Sequence, residues 1–363
     1  MLTPLLAALF VSPPIFSGEV AEHAVIWDGF DQSWGYNHRV NRLGDYVGSP
    51  VCDDTGACVA QAIHTAASGT GSDVAQYRSR MTLVEAPGVG FLQGATEFHV
   101  VDRHGEGLVL HYATTQEVPA RGLLRNRQHL DVVLGGFDVR SLRDPDKLSR
   151  LSMAVSHARY VPGEDKVAFD VDLTLRMDCD SVECMMASRG VDYNVSVMWT
   201  VIAADDQVRV SSATIEDQYS WRRARPAFEL SADAHRKEHQ VHGLADGYAA
   251  AFTAFRGLSV TLDDDHYVQE WSTALGPTVY DPSTGVAEFD SSLFFKQWNL
   301  TSRRRAWSYA DRGEADIQAD VVLVQLSHGR ATERVVDGVI DWRANGHAPD
   351  VTQSQASRLI SLR

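Results

Sequence analysis

Between Lys166 and Leu175 every second residue is apolar: Val167, Phe169, Val171, Leu173 and Leu175. Strict alternation suits a pleated strand, whose side chains point to opposite faces in turn. Strand-like runs also occur at Gln76–Val84, Thr96–Val101, Gly107–Thr114, Leu130–Leu134, Ser152–His157, Tyr193–Ile202 and Gln207–Ile215. Later runs are Leu258–Leu262, Val286–Phe295, Asp320–Leu326 and Arg334–Trp342. Turns such as Ala86-Pro-Gly88 separate them. Many short, turn-bounded strands predict an all-β chain of antiparallel sandwich-like domains rather than alternating α/β units. One segment departs from the pattern. In Leu230–Phe255, Ser231 suits an N-cap, and Val241, Leu244, Tyr248, Phe252 and Phe255 fall on one helical face. A connecting helix is expected from Leu244 to Phe255, weakened by Gly243 and Gly247.

The chain also repeats itself. Gly136-Phe-Asp-Val139 is echoed by Gly257-Leu-Ser-Val260, and Tyr160, Pro162, Phe169, Asp170 and Leu173 by Tyr280, Pro282, Phe289, Asp290 and Leu293. Further on, Asp192–Val197 aligns with Asp316–Val321. A repeat of this length has the size of a small domain, so tandem duplication is expected. The resulting division is a signal peptide at 1–21 and an N-terminal β region at 22–127. Repeat A follows at 128–229, a partly helical connector at 230–256, repeat B at 257–343 and a tail at 344–363.

The 363 residues carry a net charge of −15, which opposes binding to a nucleic acid. The N-terminal apolar run is too short to span a bilayer, and no later stretch is long and apolar enough to be a membrane span. Met1–Ser12 has the short apolar core of a secretory signal, though no basic residue precedes Arg39. The expected address is therefore secreted or periplasmic. Four cysteines fall into two close pairs, Cys52/Cys58 and Cys179/Cys184. Their spacings exceed or only reach the limit of zinc-knuckle loops, and both loops contain acids, so local disulfides are expected.

Four clusters bear on chemistry. Trp34, Tyr36, Asn37, His38, Arg39 and Asn41 combine aromatic faces with amide and guanidinium donors, as a sugar-binding surface requires. The competing reading is a strand edge packed for structure alone. His235, Glu238 and His239 form H-x-x-E-H, and on a helix His235, His239 and His242 would share a zinc-binding face. Against catalysis, that face lies opposite the apolar one, Arg236 and Lys237 sit beside it, and no further acidic ligand is evident. The acidic loop Asp178–Glu183 is a weaker calcium candidate. Basic and aromatic residues gather at Tyr219–Arg225 and Arg303–Tyr309, where a solvated loop is the simpler reading. The chain has no G-x-S-x-G elbow, no P-loop and no dinucleotide-binding fingerprint. The expectation is a non-catalytic protein that binds an extracellular glycan or protein surface, carbohydrate being favoured, with no required cofactor. The alternatives are a secreted hydrolase, metal-dependent if the histidines hold zinc, and a structural or adhesive protein.

Overall fold

The computed structural model of the protein describes residues 19–34, 40–52, 58–68, 74–102, 109–119, 129–141, 147–178, 191–204, 208–221, 235–262, 266–299, 313–327, 334–343, 354–356 and 359–361. Among them there are strands and no α-helix. The first group comprises β1 (His23–Trp34), β2 (Val40–Val47), β3 (Val51–Cys52), β4 (Cys58–Ser68), β5 (Val74–Glu85), β6 (Gly90–Asp102) and β7 (Val109–Pro119). The second comprises β8 (His129–Ser141), β9 (Lys147–Tyr160), β10 (Lys166–Asp178), β11 (Val191–Ala204), β12 (Val208–Trp221) and β13 (Lys237–Val241). The third comprises β14 (Tyr248–Leu262), β15 (His266–Leu275), β16 (Val279–Asp281), β17 (Val286–Asn299), β18 (Gly313–Ser327), β19 (Arg334–Arg343), β20 (Ser354–Ala356) and β21 (Leu359–Ser361).

These strands form three antiparallel sheets. Sheet I runs β13-β17-β15-β1-β5-β19, sheet II β20-β4-β2-β8-β11-β6, and sheet III β7-β10-β9-β14-β18-β12. The short strand β16 adds to β17, while β3 and β21 add to β4. Each group spreads its strands over all three sheets. Residues 128–229 place β8 and β11 in sheet II and β9, β10 and β12 in sheet III.

The strands β1, β8 and β14 hold the same place in their sheets, and each breaks its ladder at a bulge beside a glycine. The interruptions fall between Trp27 and Gly29 in β1 and between Phe255 and Gly257 in β14. In β8, Leu134 and Gly136 face consecutive residues of β11, which leaves Gly135 as the extra residue. A bulge inserts one unpaired residue and bends the strand, so side chains on either side of it turn to the same face. Trp27 and Phe30 therefore both reach the core, as do Leu134 and Phe137, and Phe255 and Leu258. There the three sheets meet. The ring of Trp27 lies 6.1 Å from Phe137 and 5.2 Å from Phe255, and Phe30 lies 5.9 Å from Phe137 and 5.4 Å from Trp271. Aromatic rings at these separations and inclinations pack edge-to-face or tilted, adding to their burial energy.

Two expectations are corrected here. The segment expected to form a connecting helix is mostly strand β14, preceded by a turn with Gly243 at φ 69° and Gly247 at φ 86°. Its apolar residues satisfied helical spacing because both faces of β14 are buried: Phe252 and Ala254 enter one cluster, Phe255, Leu258 and Val260 another. A strand dry on both sides loses its alternation and reads as a continuous apolar run. Second, the alignment of Asp192–Val197 with Asp316–Val321 slips by one pleat. Trp199 faces Leu134 where Val321 faces Phe255, so Trp199 rather than Val197 corresponds to Val321.

Candidate functional site

On the outer face of sheet I, away from the aromatic core, lies a set of charged and hydroxyl side chains removed from water. Asp31 comes from the middle of β1, Arg78 and Arg80 from β5, Glu270 and Ser272 from β15, and Ser292 from β17. The ladders bring them together: Asp31 pairs with Arg78 on one side and Ser272 on the other, and Ser33 pairs with Glu270. Alternation then decides the face. Phe30 and Gln32 turn inward, leaving Asp31 outward.

Asp31, Glu270 and Ser272 are each 0% exposed, and Arg80 and Ser292 are nearly as buried. Arg80 donates from Nε at 3.3 Å and Nη2 at 3.2 Å to Asp31 Oδ2. Nη1 of Arg78 stands 3.8 Å from the same oxygen, and its side chain retains 18% exposure. Ser272 Oγ donates to Asp31 Oδ1 at 2.5 Å and lies 2.7 Å from Ser292 Oγ. Next to this group, Thr82 donates to Asp28 Oδ2 at 2.6 Å. Moving a carboxylate and a guanidinium out of water costs several kcal/mol per ion, and their attraction offsets this only when hydrogen bonds satisfy the remaining atoms. Here both oxygens of Asp31 are satisfied. The result is a dry, rigid array of one accepting carboxylate, donating guanidiniums and hydroxyls of either role, opening to solvent at Arg78. No protein-family model, curated protein or solved structure matches the chain.

The residues expected from sequence to carry function bear on this array unequally. Trp34 ends β1 three positions beyond Asp31, and Asn41 lies in β2; their side chains, together with Tyr36, Asn37, His38 and Arg39 entirely, lie outside the described residues. The histidine trio loses the helix on which its shared face depended, since Lys237–Val241 is strand β13. His235 instead stacks on Phe294, centroids 4.0 Å apart, and Phe294 is the ladder neighbour of Ser272. His239 stacks on Phe289 and its Nε2 lies 2.7 Å from Ser291 Oγ. Its pKa is lowered, first by burial and then by the charge of Lys237. Among the described residues no cluster of three or more histidine, cysteine or acidic side chains is arranged for a metal. Cys52 faces Cys58 across the β3–β4 ladder, while Cys179 and Cys184 lie outside the described residues, as do most of the calcium-candidate loop and both basic clusters beyond Trp221.

Asp31, Arg78, Arg80, Ser272 and Glu270 were not singled out by sequence. Alternation marked Arg78 and Arg80 as lying on the non-core face of a strand, which ordinarily means solvent. The available signal was one of sign: opposite charges at outward positions of strands that the fold pairs. That pairing is not visible before the sheet is known.

Proposed function

We propose that the protein is a secreted or periplasmic binding protein for a polyhydroxylated ligand, carbohydrate being the favoured class. The ligand contacts the segment Trp34–Asn41 and the neighbouring polar array on sheet I. The observation that carries this reading is the buried ion cluster of Asp31 in β1 with Arg78 and Arg80 in the neighbouring strand β5, Asp31 lying three residues before Trp34. The Arg78 guanidinium, held by Asp31 and reaching solvent, donates to sugar hydroxyls, while aromatic side chains of the segment cover the apolar face of a sugar ring. Specific pockets pair a few oriented polar groups with aromatic surface in this way. The disulfides and the signal peptide belong to the same reading. So does descent of 128–229 and 257–343 from one ancestral sandwich-like segment, supported by Tyr160 facing Val167 as Tyr280 faces Ala287.

The test is a glycan array with the intact protein, followed by titration of any retained sugar into Trp34→Ala and Arg78→Ala. Both variants are expected to lose at least tenfold in affinity with little change in thermal midpoint. Unchanged affinity in both removes the site from this location. A second reading, hydrolysis, gains support from one feature. Asp31 and Glu270 are buried carboxylates on one face, one strand apart and diagonal in register. Diagonal neighbours stand about 7–8 Å apart at the backbone, close enough for two side chains to act on one bond as paired carboxylates do in glycoside cleavage. Turnover of a bound glycan that stops in Glu270→Gln, with binding retained, would select that reading.

A further inference from the structure

The pairing of strands repeats three times, not twice. In sheet I the order of neighbours around β1 is β15 before it and β5 after it; around β8 it is β2 and β11; around β14 it is β9 and β18. The outer strands follow the same rule, with β17, β4 and β10 next to β15, β2 and β9, and β19, β6 and β12 next to β5, β11 and β18. Register agrees residue by residue. Gly29 to Ser33 pair with Ala274 to Glu270, Gly136 to Arg140 with Tyr46 to Arg42, and Gly257 to Thr261 with Ala154 to Arg150. The central strands share a sequence at the bulge: Trp27-Asp-Gly-Phe-Asp31, Leu134-Gly-Gly-Phe-Asp138 and Phe255-Arg-Gly-Leu-Ser259.

This makes the chain its own control. Asp31 is matched by Asp138 and Ser259, Arg80 by Met198 and Asp320, Ser272 by Gly44 and Ser152, and Glu270 by Arg42 and Arg150. The matching position in sheet II adjoins an apolar patch of Tyr46, Ile63 and Met198. In sheet III it is a solvated face on which Thr214 donates to Asp320 and Ser152 and Ser259 are only half-buried. The same fold position thus holds the half-buried Asp138 beside an apolar patch in sheet II, solvated polar groups in sheet III and a buried ion cluster in sheet I. Two of three sheets form without the cluster, so the sheet does not need it.

We infer that the chain consists of three interlocked copies of one unit, about 23–119, 129–241 and 248–361, and that the Asp31–Arg80–Ser272–Glu270 cluster is a ligand-directed site added to one sheet rather than part of the framework. Its ligand class, a polyhydroxylated molecule, rests on the function proposed above; its location does not.

The experiment compares Asp31→Ser, Arg80→Met and the double variant, which puts at each position a residue found at its counterpart. Asp31→Ser leaves the buried Arg80 guanidinium without that carboxylate, and Arg80→Met leaves Asp31 with the more distant Arg78 alone, so each single change is expected to lower the thermal midpoint. The double variant removes both charges and is expected to recover the wild-type midpoint or exceed it, with an unchanged far-ultraviolet spectrum and at least a tenfold loss of the sugar affinity found for the wild type. A double variant that melts as low as the weaker single one overturns the inference, because the pair is then structural. Recovery of the midpoint alongside a wild type that retains no sugar overturns the carbohydrate reading alone and leaves the placement of the site standing.

Discussion

A methyl group built on Gly29 would sit 1.8 Å from the carbonyl oxygen of Thr273, and one on Gly136 would sit 2.3 Å from that of Asp45. Both glycines also hold positive φ, 93° and 116°. Bulge, backbone sign and close approach thus coincide at one residue in two of the three central strands. Gly29→Ala and Gly136→Ala are each expected to destabilise the protein by about 3 kcal/mol or more, since backbone must move to admit the methyl. Gly163 supplies the comparison: its φ is 79° but nothing lies within 4 Å. Gly163→Ala should cost only about 1 kcal/mol, the intrinsic penalty of a left-handed conformation. Urea unfolding of the three variants checks the ranking. The core beside these glycines contains a polar centre too, where Trp27 Nε1 donates to Asp45 at 2.6 Å and Ser79 donates to the other oxygen of the same carboxylate. At the bulge of β14, Arg256 pairs with Asp131 at 2.5 Å, and burial nonetheless raises the pKa of that carboxyl.

Among elements, legibility followed burial. Strands with one wet face, such as β10 and the first half of β11, keep the period-two pattern and were read from sequence at the right places. The strand β14, dry on both faces, imitated a helix. The strand β1 was not recognised, because its bulge at Asp28 shifts the parity between Trp27 and Phe30, so no single alternation runs through it. The hairpin β3–β4 gives a prediction at this scale. Residues directly opposed in an antiparallel ladder have Cα atoms about 4.5–5.5 Å apart, within the range a disulfide requires. Cys52 and Cys58 are so opposed. Non-reducing peptide mapping of the protein is expected to return a Cys52–Cys58 crosslink; a Cys52–Cys179 bridge, or free thiols at both positions, would contradict it.

At the scale of the molecule, the central strands β1, β8 and β14 bring residues to one shared core, and every sheet depends on strands from more than one third of the chain. Unfolding one third would remove strands from all three sheets. Calorimetry is therefore expected to show one cooperative transition for the β-sheet framework, with calorimetric and van't Hoff enthalpies in agreement. Two separated transitions, as independent tandem sandwiches would give, would contradict this. The sequence by itself determined the all-β class, the positions of most one-sided strands and the echo between the second and third units, because alternation and turn residues act locally. It also marked Trp34–Asn41 as chemically unusual. Only the tertiary structure decided that β1, β8 and β14 hold equivalent places in three sheets and that Asp31, Arg80, Ser272 and Glu270 share a buried face. Those facts depend on which strands pair. Pairing across a distance such as that from Asp31 to Ser272 is selected by the closure of the whole sheet, and no local pattern records it.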